Sequence, residues 1–190
     1  MPRKLSSPRV CVLLSGGIDS TACLHFYKDA GSSLEAVFID YGQRSAEREL
    51  LSTKKVAQHY DIRLHRLAWH CRWKNKTGLI VGRNMFFLAA AMMEMSAIAD
   101  VIGIGIHSGT NYFDCSSSFL RLMKKIASDY SQGSLQIGAP FISWHKKDIW
   151  DYCRSSGVPL DLTYSCEYGL RQPCGKCPSC RELEALYASS

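Results

Sequence analysis

Two stretches of this chain place reactive residue types at fixed spacing. The first is Ser15-Gly16-Gly17-Ile18-Asp19-Ser20-Thr21, directly after the short apolar run at 9–14. Gly16 and Gly17 permit positive φ and close backbone approach. Asp19, Ser20 or Thr21 can cap a helix that begins there. A helix N-terminus with free N–H groups and hydroxyls attracts phosphate. The same residues also suit a tight strand-to-helix turn without a ligand. The stretch lacks the Gly-Lys-Ser/Thr ending of the mononucleotide phosphate loop and the G-x-G-x-x-G pattern of dinucleotide sites. The second stretch carries Cys166, Cys174, Cys177 and Cys180, spaced C-x7-C-x2-C-x2-C on a segment bearing Gly and Pro. Four converging thiolates suit tetrahedral zinc; free or redox-active thiols and an iron–sulfur cluster are the alternatives. Four protein ligands leave no open position, so a zinc there is expected to be structural. Chelation is then expected to destabilise the C-terminal tail.

The elements that must position these residues follow from periodicity. Residues 9–14 read as a buried strand and 19–30 as a helix with Thr21, Cys23, Leu24, Phe26 and Tyr27 on its inner side. Further strands are expected at 34–39, 62–67, 101–106 and 135–138. Helices are expected at 45–59, 83–98, 116–130, 145–156 and 180–188. Residues 69–82 read as a long irregular connection. Alternating strands and helices call for a parallel sheet covered on both faces, a doubly wound α/β fold. Ligands in such sheets lie beyond the carboxyl ends of the strands, where strand order reverses. Residues 1–159 are expected to form this domain, and 160–190 a cysteine-bearing segment packed on it.

Composition narrows the class. The 190 residues are 46% apolar and 21% charged, ordinary for a soluble globular protein. No apolar stretch is long enough to span a bilayer, and the basic N-terminus leads into a run better used as a strand than as a signal peptide. A cytoplasmic location is expected. The net charge of +6 suits an anionic substrate such as a nucleotide. No block of like charge stands out, so nucleic-acid binding is not inferred. Of nine cysteines, Cys11, Cys23, Cys71, Cys115 and Cys153 are scattered and read as core residues. The odd total argues against a disulfide framework.

Ser15-Gly16-Gly17-Ile18-Asp19-Ser20 resembles the SGGxDS pyrophosphate-binding loop of the PP-loop ATPases. The cysteine cluster with Gly175, Lys176, Pro178 and Ser179 is similar to the C-terminal zinc site of the 7-cyano-7-deazaguanine (preQ0) synthases within that family. Asp40-Tyr41-Gly42-Gln43-Arg44, Gly82-Arg83-Asn84 and Asp114-Cys115 resemble three further segments of the same synthases, in the same order. The resemblance implies a Rossmann-like PP-loop fold and an ATP-dependent carbon–nitrogen ligase using ATP, Mg²⁺ and Zn²⁺. Such an enzyme adenylates the carboxylate of 7-carboxy-7-deazaguanine, releasing pyrophosphate. Ammonia then displaces AMP to give the amide, and a second activation dehydrates it to preQ0. A homodimer is also implied.

On that resemblance Ser15, Gly16, Gly17, Asp19 and Ser20 hold pyrophosphate, and Asp19 helps to place Mg²⁺. Arg83 neutralises phosphate or substrate carboxylate through its guanidinium fork. A cation at a helix N-terminus opposes the helix dipole, so Arg83 is better explained by a nearby anion. Gln43 and Arg44 are candidates to reach the substrate, as are Tyr112 and Phe113 for stacking on a flat heterocycle. Asp114 either reads a guanine-like N–H edge or caps the helix after it. The Met- and Ala-rich helix reads as core or as a subunit interface.

The chain departs from the family's pattern in the substrate region. Ser45 stands where the family's loop continues with histidine, and Ser116 where it has arginine. The stretch His107-Ser108-Gly109-Thr110-Asn111-Tyr112-Phe113 is shorter than its counterpart and lacks the usual acidic residue. Activation of an acid by ATP is thus the better-supported half of the reading. One alternative is a relative from antiviral defence systems that conjugates the activated deazaguanine to a protein amine. Another is a non-catalytic nucleotide-binding subunit.

Overall fold

The computed structural model describes residues 7–69 and 80–188. Its strands are β1 (Arg9–Leu13), β2 (Ser33–Asp40), β3 (Arg63–Ala68), β4 (Val101–Gly103) and β5 (Gln136–Gly138). Its helices are α1 (Ile18–Asp29), α2 (Ala46–His59), α3 (Arg83–Met95), α4 (Ser117–Ser131), α5 (Lys146–Ser156) and α6 (Pro178–Ala188). All five strands pair in parallel, in the order β3-β2-β1-β4-β5. The doubly wound reading therefore holds. Strand order reverses between β1 and β4, which places the switch beside the loop after β1. Part of the expected irregular connection, residues 70–79, lies outside the described residues.

The period-2 pattern of the strands sorts side chains between two cores. Val10, Val12 and Leu14 join Ala22, Val56, Ile149 and Trp150 on the face covered by α1, α2 and α5. Cys11 and Leu13 join Leu88, Met95, Leu120 and Met123 under α3 and α4. Leu186 and Leu183 of α6 pack into the first core, so the tail's helix belongs to the main body. Cys11, Cys23 and Cys153 are fully buried, as a core reading requires. Burial pushes the Cys11 and Cys153 thiols up to about 12. Cys115 is half-buried, and Cys71 lies outside the described residues.

Two expected strands are shorter than the sequence suggests. The run at 101–106 is ladder-paired only over Val101–Gly103, and the fifth strand starts at Gln136. Ile104 and Ile106 stay buried, so burial alone made the longer stretch look like a strand. Gly105 explains the end of the ladder. A Cβ there would meet the backbone of Asp19 and Ser20, so the chain leaves the sheet where the first turn of α1 presses on it.

Candidate functional site

The loop after β1 is built from its own short side chains. Gly16 adopts φ +77°, and a Cβ on it would lie 2.8–2.9 Å from Ser52 and the Glu49 carbonyl. Glycine is required there for both conformation and space. Ser20 Oγ donates to the Gly17 carbonyl at 3.0 Å and accepts from Ser15 N–H at 3.2 Å. Thr21 Oγ1 also donates to the Gly17 carbonyl, at 2.9 Å. The Ser20 hydroxyl thus closes the loop, and the exposed Ser15 hydroxyl donates to it at 3.1 Å. Gly17 is the N-cap of α1 and gives it no side-chain cap. The N–H groups of the first turn of α1 are left to attract an anion.

Asp19 has a partner that the sequence did not suggest. Lys146 Nζ lies 2.7 Å from both of its carboxylate oxygens. His107 Nε2 lies 3.9 Å from Asp19 Oδ2, and Glu182 Oε2 of α6 lies 3.8 Å from Lys146 Nζ. His107 is buried and follows β4, and Lys146 opens α5. His107 Nδ1 accepts the Gly109 N–H at 3.1 Å, which puts the proton of a neutral ring on Nε2. Burial lowers the His107 pKa; the Asp19 charge opposes this, and Lys146 adds to it. A signal for Lys146 existed. Lys146 and Lys147 occupy the first turn of a helix, where cations oppose the dipole. Lys146, like Arg83, is a cation at a helix N-terminus and calls for a nearby anion.

A second group assembles at the start of α3. Gly82, in the left-handed conformation, caps the helix, and Arg83 stands in its first turn. Asp114 is drawn to that end, where its Oδ2 accepts the Asn84 N–H at 3.2 Å. Asn84 Nδ2 donates in turn to the Asp114 carbonyl at 3.0 Å. Asp114 therefore caps α3 and not the helix after it. That helix, α4, is capped by Ser116, whose Oγ accepts the Phe119 N–H at 3.1 Å. The Arg83 guanidinium lies 6.0 Å from the centre of the Phe87 ring and beside the Tyr41 hydroxyl. Its buried Nε has no hydrogen-bond partner among the described residues.

The other candidates fare unevenly. Gln43 is turned into its own loop, with Oε1 accepting Tyr41 N–H at 2.9 Å and Nε2 donating to Glu49 at 2.8 Å. Ser45, at the position of the family's histidine, is buried and donates to Glu49 at 2.6 Å. Those bonds fix the loop to α2. Arg44 is exposed. Tyr112 and Phe113 are exposed too, against the usual fate of packing residues, and the Phe113 ring centre lies 6.0 Å from that of Phe119.

The four cysteines converge. The sulfurs of Cys166, Cys174, Cys177 and Cys180 all lie within 4.8 Å of one another. A zinc tetrahedron with ~2.3 Å bonds has sulfurs about 3.8 Å apart, and Cys174 Sγ and Cys180 Sγ stand at 3.9 Å. Backbone N–H groups point at the sulfurs: Cys174 N at Cys166, Lys176 N and Cys177 N at Cys174, and Cys180 N at Cys177, at 3.3–3.4 Å. Such donors favour thiolates, the form that binds metal. Burial raises the Cys166 thiol, but the Cys174 and Tyr168 backbone donors outweigh it and bring it to about 6. The residues present therefore fit a metal ion. The segment also grips the rest of the site. Tyr164 N–H donates to the Gly16 carbonyl at 2.8 Å, and Ser52 Oγ lies 2.6 Å from the Leu162 carbonyl and 2.8 Å from that of Gly16. Gly169, at φ +67°, packs against the Arg44 backbone. Glu167 accepts Ser179 N–H and O–H at 3.2 and 2.8 Å and caps α6.

Known proteins resemble this chain over most of its length. The model of a family described as "Queuosine biosynthesis protein QueC" matches residues 9–80 and 71–189. A 7-cyano-7-deazaguanine synthase of Prochlorococcus marinus is 29% identical over 96% of this chain and 95% of its own length. A protein named 7-cyano-7-deazaguanine synthase 2, from Desulfitobacterium hafniense, is 33% identical over 90% of this chain and 85% of its own. A solved structure titled a predicted tRNA methyltransferase subunit, from Methanocaldococcus jannaschii, superposes with a TM-score of 0.51 at 13% identity. The match covers 78% of this chain and 76% of that one, and it bears on the fold alone.

Proposed function

Because this chain belongs to the QueC family of queuosine biosynthesis proteins, we propose that it activates the carboxylate of 7-carboxy-7-deazaguanine with ATP and couples it to nitrogen. The observation that carries the reading is the loop Ser15–Ser20 at the strand-order switch, with Asp19 held by Lys146. A carboxylate is a poor electrophile, and its oxygen must attack the α-phosphorus of ATP to gain AMP as a leaving group. The N–H groups at the start of α1 and the Lys146 ammonium receive the charge that develops on the departing pyrophosphate. Arg83, with its unpartnered Nε, takes the substrate carboxylate or a phosphate. Asp19 would help to hold Mg²⁺, which would supply neutralisation of phosphate charge when bound. Cys166, Cys174, Cys177 and Cys180 would hold a zinc ion, which would fix the tail against the site. Ammonia is the acceptor in this reading, and the product is preQ0.

Incubation with ATP, Mg²⁺ and 7-carboxy-7-deazaguanine, with and without ammonia, tests the scheme by mass spectrometry of AMP and nitrile. Nitrile formation supports it. AMP without nitrile shifts the acceptor to a protein amine, and a mass increase on that protein identifies it. No AMP under any condition overturns the ligase reading in favour of a nucleotide-binding subunit. We also read the working unit as a homodimer. Outward Met85 and Met93 on α3 and Leu122, Ile126 and Tyr130 on α4 support this, as two apolar rows on adjacent helices. Sedimentation of Ile126→Glu against the parent chain checks it; a monomeric parent rules it out.

A further inference from the structure

The side chains around Asp19 are not arranged as a simple ion pair. Its two oxygens are both occupied by Lys146, yet a second donor waits behind them. His107 is buried with its ring orientation fixed, because Nδ1 takes the Gly109 N–H. Its Nε2–H faces Asp19 Oδ2 from 3.9 Å, beyond hydrogen-bonding distance. The segments that carry the two donors are stitched together: Ser108 N and Oγ both donate to the Trp144 carbonyl, at 3.0 and 2.7 Å. His107 and Lys146 are thus a fixed pair flanking one carboxylate. Other charges also face the cluster. Glu182 comes from α6 and His145 from the start of α5.

We infer that His107 is a positioning residue and the alternate partner of Asp19: polyphosphate draws Lys146 away, and the His107 Nε2–H closes on the carboxylate. The inference rests on the reading of the loop as an ATP site. Its physical basis is charge. A polyanion beside the loop attracts the Lys146 ammonium; Asp19 Oδ1 is then free for Mg²⁺, while Oδ2, on the His107 side, is left without its donor. A half-buried carboxylate that loses its partner is destabilised. A neutral imidazole donor compensates without adding a second cation to the pocket. No proton is transferred; Asp19 exchanges one donor for another.

The test uses α,β-methylene-ATP with Mg²⁺ as probe. In the parent protein the His107 Nε2–H resonance moves downfield when the probe binds. In Lys146→Met the shift is present without probe, because the carboxylate has lost its ammonium. His107→Phe weakens probe binding about tenfold, the factor expected for a hydrogen bond to a charged group. His107→Gln, which keeps a donor, recovers most of that loss. A purely packing role would lower stability in both variants and leave the Lys146→Met resonance where it is in the parent. An unshifted Nε2–H resonance in Lys146→Met overturns the inference. Equal probe affinity in His107→Phe and the parent does so too. If the parent fails to bind the probe, the ATP reading falls, while the Lys146→Met spectrum still decides whether His107 can replace Lys146.

Discussion

The glycine loop after β1 and the cysteine loop at 166–180 touch each other but are held by opposite means. The first is closed by hydrogen bonds among Ser15, Gly17, Ser20 and Thr21, and it rests on a core that includes Leu14 and Ile18. The second has little beneath it besides its own sulfurs and half-buried Tyr164. A metal ion on the four sulfurs would replace repulsion among thiolates with bonds and so order the loop. The lesson lies in their junction. Tyr164 N–H on the Gly16 carbonyl, Ser52 between Gly16 and Leu162, and Gly169 against Arg44 make the cysteine loop a wall of the glycine loop. A site that transfers charge gains from donors that are already fixed, and here part of that fixing comes from the tail.

The comparison can be broken at its strongest point first. Asp19→Asn keeps the shape of the loop and removes the charge that holds Lys146. AMP release should fall on the order of a hundredfold or more, with metal content unchanged; normal turnover would remove Asp19 from the chemistry. Removing the metal, by chelation or Cys174→Ser, should lower the melting temperature by on the order of 10 °C. Hydrogen exchange should rise across residues 163–180 while β1 and β2 stay protected. Uniform loss of protection would show that the two regions are one cooperative unit. Gly16→Ala strains φ and collides with Ser52, and should cost about 2–4 kcal/mol in denaturant unfolding. Gly169→Ala is subtler. It strains the tail where it meets Arg44 without touching a ligand, so metal content should stay while ATP affinity falls a few-fold.

The smallest effect lies at the far end of the sheet, remote from both loops. Arg9 holds Asp100 by a side-chain hydrogen bond, aided by its backbone N–H, and keeps that carboxyl below its usual 3.8. A lowered carboxylate pKa stabilises the fold above the ordinary value and loses that contribution as pH falls through the lowered one. The pair is exposed, so Asp100→Asn should flatten the acid limb of stability by less than about 1 kcal/mol.

Much of this molecule is legible from local pattern. The alternation of strands and helices gave all five strands and six helices, because each depends on apolar periodicity and caps within a dozen residues. The cysteine spacing anticipated a cluster, since four ligands on one short loop can hardly avoid meeting. Asp114 shows the limit. Its role as a cap was foreseen, but on the wrong helix, because the end of α3 is brought to it only by packing. Gln43 was a candidate for substrate, yet Glu49 on the next helix takes its amide.

By itself, then, the sequence determined the fold class, the glycine loop and the cysteine cluster, since those are set by neighbours along the chain. The tertiary structure alone decided who faces whom. Lys146 reaches Asp19 across 127 residues, and His107 arrives from the other side of the strand switch. Tyr164 closes on Gly16 from beyond α5. The physical reason is that a charge finds its partner by distance in space, and a parallel sheet brings the carboxyl ends of distant strands to one edge.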